Sequence, residues 1–135
     1  IRAYIDRYNP DSIITFGPEG LTGHPDHAAV SRWVSGAVRD MEDGPAIYHA
    51  VLTVDQYRNF LQTADAKMNM FFNIDQPPLV EDNHCDICLE CTPSLCDCKQ
   101  DALEAMPSQY EALITAFGRE FLREAFRVEA FVRAK

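Results

Sequence analysis

Apolar residues recur along this chain at two spacings, three to four apart over some stretches and contiguous or alternating over others, and the changes between them mark out helices and strands. Ile1, Tyr4, Ile5 and Tyr8 share a helical face, and Asn9-Pro10-Asp11 supplies the stop. Ser12-Ile13-Ile14-Thr15-Phe16 is a β-branched and aromatic run suited to a buried strand, after which Gly17, Pro18, Gly20 and Gly23 break the chain into a loop. Ala29, Val30, Trp33, Val34, Ala37 and Val38 form the stripe of a helix predicted over residues 27–41, with Asp26 as its cap. A second strand is expected at Ala46–Leu52, followed by a helix through Val54, Tyr57, Phe60 and Leu61.

The pattern is less regular over residues 65–84, where Met68, Met70, Phe71, Phe72 and Ile74 are interleaved with breakers such as Pro77-Pro78, and a loop is expected. Ile87–Cys91 reads as a strand and Ser94–Met106 as a helix, interrupted by Pro107; Ser108 is placed to cap a further helix through Tyr110, Leu113, Ile114 and Phe117, ending at Gly118. Phe126–Val132 alternates apolar and polar residues, which predicts a half-buried, edge-type strand and not a parallel core strand. The order helix, strand, helix, strand implies an α/β fold with a mostly parallel sheet flanked by helices. A parallel sheet needs strands beside the first one, so residues 1–135 are expected to form a single domain that is the C-terminal part of a larger one, its N-terminal strands missing.

Composition narrows the function classes. With 135 residues, 47% of them hydrophobic, the chain has the length of one globular domain, and no apolar run is long enough to cross a membrane. A net charge of -9 argues against binding along a phosphate backbone, which needs Lys and Arg to neutralise phosphates. The expected partner is a small molecule, not nucleic acid, and the expected location is the cytoplasm.

Candidate chemistry lies in two places. The first is Gly23-His24-Pro25-Asp26-His27, two imidazoles and a carboxylate in a glycine loop between a strand and a helix, where open α/β sheets place their ligands. An imidazole can ligate a metal or carry a proton, and a carboxylate beside it can orient it; adjacent backbone steps favour divided roles for His24 and His27 over joint ligation of one ion. His49 and His84 are read as satisfied surface or core residues. The second place is Cys85, Cys88, Cys91, Cys96 and Cys98, whose compressed spacing is a weak match to a zinc site and suits small, partly buried apolar residues better. Were that cluster to bind metal, the chain would be a non-catalytic metal-binding interaction module.

Phe16-Gly17-Pro18-Glu19-Gly20-Leu21-Thr22-Gly23-His24-Pro25-Asp26-His27 resembles the second signature motif of the PIG-L/LmbE family of zinc-dependent N-deacetylases, and Lys99, Ala102-Leu103 and Ser108-Gln109 resemble the family's C-terminal pattern. The resemblance implies a Rossmann-like sheet, zinc as cofactor and removal of an N-acetyl group from an N-acetylglucosaminyl or related amino-sugar substrate. It implies His27 as a zinc ligand, His24 as the residue that stabilises or protonates the tetrahedral intermediate, and Asp26 as its support. The family's Pro-His-Pro-Asp-Asp motif, source of the other two ligands and the general base, is absent from the sequence, and Met106-Pro107 stand where members often carry a histidine. The chain alone is therefore expected to be inactive.

Overall fold

The computed structural model describes all of residues 1–135. A short helix α1 (Arg2–Tyr8) leads into strand β1 (Ser12–Phe16), helix α2 (Pro25–Val38) and strand β2 (Ala46–Thr53). A continuous helical stretch follows as α3 (Val54–Gln56), a π-helical turn (Tyr57–Leu61) and α4 (Gln62–Met68). Next come a two-residue strand β3 (Leu79–Val80), a 3-10 turn (Asp82–His84) and strand β4 (Ile87–Glu90). Helices α5 (Pro93–Glu104), α6 (Pro107–Phe117) and α7 (Arg119–Ala125) precede the last strand, β5 (Val128–Arg133).

The fold is α/β as expected, but the sheet is mixed. Its order is β1-β2-β5-β4, with β3 pairing the end of β2. β1 and β3 run parallel to β2, whereas β5 is antiparallel to both β2 and β4. This corrects the placing of the last strand at an edge: β5 is interior, and β4, exposed at all four positions, takes the edge. The alternation in β5 reflects unequal cover on the two faces of the sheet, which an interior antiparallel strand shows as readily as an edge one. Val51 and Ala130, partners in the β2–β5 register, are both buried.

Sequence also missed α7, although Phe121, Leu122 and Ala125 repeat at helical spacing, because Gly118 at φ 80 looked like a final stop and instead turns the chain into a new helix. Ser108 does not cap α6; Met106 occupies that position and makes no side-chain cap, with Pro107 following at the first helical position. The stretch expected to be a loop is helical up to Met68 and contributes β3.

Ten of the twelve buried apolar residues lie from Val51 onward, leaving Ile5 and Val34 as the contribution of the first fifty. The core therefore sits between the β2–β5 half of the sheet and the helices from α3 to α7. Gln56 fastens these layers together: its Nε2 donates to the carbonyls of Ala125 (2.9 Å) and Val128 (3.4 Å) at the entrance to β5. Tyr110 Oη donates to Gln100 Oε1 at 3.1 Å and so links α6 to α5; burial pushes its phenol pKa up, partly offset by that hydrogen bond.

The β1 side is thinly covered. Tyr4, Tyr8, Ile14 and Trp33 are each more than 60% exposed, and β1 pairs on one side only. An uncharged edge with exposed apolar side chains is a template for pairing with another copy. Ile14→Lys is expected to reduce self-association, measured as the weight-average mass by sedimentation at increasing concentration; unchanged association would place the contact elsewhere.

Thr15 and His49 are partners in the β1–β2 register, and Thr15 Oγ1 and His49 Nε2 are both buried without a hydrogen-bond partner. A buried hydroxyl with no partner opposes folding, so the isosteric Thr15→Val should leave stability unchanged or raise it by about 1 kcal/mol. Urea denaturation checks this, and a loss of stability would show that the hydroxyl is satisfied in solution.

Candidate functional site

The histidine loop leaves the C-terminal end of β1 and is shaped by two tight turns and three residues at positive φ. Gly20 N–H donates to Gly17 O at 2.9 Å, Thr22 N–H donates to Gly20 O at 2.7 Å, and Gly20, Leu21 and Gly23 all have positive φ, of 75°, 63° and 75°. Gly20 is required on two grounds. Its φ is costly for any residue with a Cβ, and a Cβ there would lie 2.7 Å from His24 O and 3.0 Å from Ala28 N. The close approach aims the Gly20 carbonyl into the first turn of α2.

That carbonyl meets His27. Nδ1 of His27 lies 3.1 Å from Gly20 O, and because a carbonyl only accepts, Nδ1 must carry the proton. In the neutral ring the Nε2 lone pair is then free. Phe16, the last residue of β1, stacks on the His27 ring at a centroid distance of 3.9 Å and an interplanar angle of 3°. One contact fixes the plane of the ring and the other its rotation within that plane, and His27 is partly buried as a result.

His24 is held in the opposite sense. It is the N-cap of α2, with φ −66° and ψ 126°, and its Nδ1 accepts the Asp26 backbone N–H at 3.2 Å. An accepting Nδ1 must be unprotonated, so the neutral ring carries its proton on Nε2. The two rings lie 4.9 Å apart, centroid to centroid, on one surface of the loop. His24 is exposed and presents an N–H donor; His27 presents a lone pair.

The expected Asp26 cap is thus replaced by His24. Pro25 occupies the first helical position and has no N–H, so the first amide available for capping is that of Asp26, which the preceding imidazole reaches. Asp26 does lie beside His24, but through its backbone amide. Its carboxylate is exposed in the first turn of α2, where a negative charge favours the helix dipole.

The loop is pinned from outside by the turn after α4. A Cβ on Gly23 would fall 2.1 Å from Ile74 Cγ2 and 2.9 Å from Asn73 Cβ, so this turn packs directly against the residue preceding His24. The turn is itself anchored: Phe71 is 5% exposed, its N–H donates to Asp65 Oδ1 at 3.0 Å, and Ile74 N–H donates to Phe71 O at 3.0 Å. Sequence reading overlooked this support because nothing in the local pattern of residues 69–76 announces a contact fifty residues back.

A catalytic zinc takes three protein donors. His27 has the form of a ligand, with Nδ1–H on a carbonyl and Nε2 free. Nowhere in the structure do three His, Cys, Asp or Glu side chains converge in a group that could hold a metal ion. The cysteines differ in exposure: Cys91 and Cys96 are buried, Cys85 is intermediate, and Cys88 and Cys98 are exposed. All five are free thiols, and burial followed by neighbouring Cys88, Asp82 and Asp86 pushes the Cys85 thiol pKa up. His84 ends the exposed 3-10 turn, and His49 lies opposite Thr15 in the β1–β2 register. No helix is long and apolar enough to cross a membrane.

The sequence matches no protein-family model and no curated protein. Functional assignment therefore rests on the residues and their geometry.

Proposed function

We propose that this chain supplies the histidine loop of a zinc-dependent hydrolase that removes the N-acetyl group from an N-acetylglucosaminyl or related amino-sugar substrate. The observation that carries the reading is the complementary hydrogen bonding of the two imidazoles. His27, with its Nδ1 proton on Gly20 O, is the metal ligand. His24, with Nδ1 capping α2, offers Nε2–H as a fixed donor to the oxygen that becomes negative when the amide carbonyl is attacked. Protonating His24 at Nδ1 would break the cap, so its role is donation from the neutral ring. The remaining metal donors and the general base come from groups outside these residues.

The open edge of β1 supports this reading, because a strand pairing there in parallel would end beside His24 and His27, completing a more extensive Rossmann-like sheet. Five free thiols suit a reducing compartment, and we place the reaction in the cytoplasm. The alternative of a cysteine-based metal module has no geometric support, since the thiols do not gather into a ligand set. Acetate release from an N-acetylglucosaminyl substrate by a protein carrying this chain and a complete donor set, abolished by chelation and restored by zinc, tests the proposal. Zinc-replete protein that releases no acetate from such substrates would refute it.

A further inference from the structure

Cys91 and Cys96 flank the start of α5 at two related positions. Thr92 is the N-cap, its hydroxyl accepting Leu95 N–H at 3.4 Å, and Pro93 begins the helix. Cys91 therefore precedes the cap and Cys96 is the fourth helical residue, the pair of positions at which a hydrophobic staple brings two side chains together. Here both staple residues are thiols, 6% and 3% exposed. Cys96 Sγ donates to Cys91 O at 3.6 Å, so its sulfur already lies beside an atom only two bonds from the Cys91 Cα.

Both residues also line a cavity of about 320 Å³ with Glu90, Thr92, Pro93, Arg123, Glu124 and Arg127. Its charges are matched internally: Arg127 pairs with Glu90 at 2.8 Å, and Arg123 pairs with Glu124 at 3.0 Å and with Asp97 at 2.8 Å. A polar cavity whose charges are already paired suits a small uncharged polar molecule better than an anion. We propose that Cys91 and Cys96 are an oxidative modification site that a small peroxide converts to an intramolecular disulfide.

The chemistry balances within the pair and the peroxide. One sulfur attacks a peroxide oxygen, an S–O bond forms and the O–O bond breaks, and the departing hydroxide takes the thiol proton to leave as water. The second sulfur attacks the resulting sulfenic acid, the S–S bond forms as the S–O bond breaks, and the second thiol proton leaves with the oxygen as water. Two electrons leave the cysteines and reduce one peroxide to two waters. Burial raises the Cys91 thiol pKa; nearby Lys99 opposes the rise, while Cys96 and Glu129 add to it. Reaction is correspondingly slow, and replacing the exposed Cys88 and Cys98 simplifies its detection.

The test uses the full chain with Cys85, Cys88 and Cys98 replaced by serine, treated with hydrogen peroxide and followed by intact mass and by thiol titration in denaturant. The expected result is a monomer lighter by two hydrogens with no titratable thiol, both thiols returning with dithiothreitol. A lasting gain of oxygen, a disulfide-linked dimer, or two thiols that survive prolonged treatment with excess peroxide would each overturn the proposal. Cleavage after Glu90 in the oxidised natural sequence separates Cys85 and Cys88 from the other three thiols. A Cys91–Cys96 link in that digest supports the assignment independently of the variant, and a bridge across the cleavage site, or one joining Cys98 to either partner, contradicts it.

Discussion

In a protein that completes the metal site, His27→Ala is expected to lose zinc and deacetylase activity together, whereas His24→Ala keeps zinc and loses turnover. The difference follows from which nitrogen each ring has available. His27 commits Nδ1–H to Gly20 O and leaves a lone pair, which a metal can use and for which the loop has no substitute. His24 commits its lone pair to the Asp26 amide and leaves an N–H. Losing one oxyanion donor lowers kcat roughly a hundredfold or more. The same variant also removes the α2 cap, costing about 1 kcal/mol of stability, so zinc content and kcat must be measured below its thermal transition. Asp26→Ala should be milder, because its amide and not its carboxylate meets His24, and the lost helix-dipole interaction is worth about 0.3–1 kcal/mol. Equal zinc loss in His24→Ala and His27→Ala would remove the basis for divided roles.

Gly23→Ala is expected to destabilise the fold by about 2–4 kcal/mol, combining the strain of a Cβ at positive φ with overpacking of a filled contact. At φ 75° the new methyl would lie 2.1 Å from Ile74 Cγ2, so the histidine loop and the turn carrying Ile74 must move apart. Gly36→Ala is the control. Gly36 is inside α2 with nothing within 4 Å of its Cβ position, and the substitution should gain about 0.5–1 kcal/mol through helix propensity. Denaturant midpoints of the two variants should move in opposite directions; similar midpoints would mean that the turn after α4 does not hold the histidine loop.

Much of this architecture is legible from local pattern. The β1 boundaries at Ser12 and Phe16 follow from a β-branched run bounded by Pro10 and Gly17, and the helix through Val54, Tyr57 and Leu61 follows from its apolar spacing. Strand order is not local. The alternation in Phe126–Val132 argues against a parallel core strand, and β5 is antiparallel, but nothing in it reveals that the strand enters between β2 and β4 and not at an edge. At the site, the residue types of His24, Asp26 and His27 marked the chemistry, but their roles depend on Gly20 turning its carbonyl inward and on Pro25 denying the cap an earlier amide. Those are consequences of φ and of a missing N–H, which residue-type patterns convey weakly. The cysteine spacing conveyed still less, because it does not show that Cys91 and Cys96 are buried side by side while Cys88 and Cys98 are exposed.

The imidazole tautomers test the central claim most directly, and they can be read from this chain alone. In a long-range ¹H–¹⁵N correlation spectrum recorded well above the ordinary histidine pKa of about 6.5, each neutral ring shows which nitrogen bears the proton. The geometry predicts Nε2–H for His24 and Nδ1–H for His27. The same tautomer at both rings, or the reverse assignment, would contradict a loop built to present one donor and one ligand.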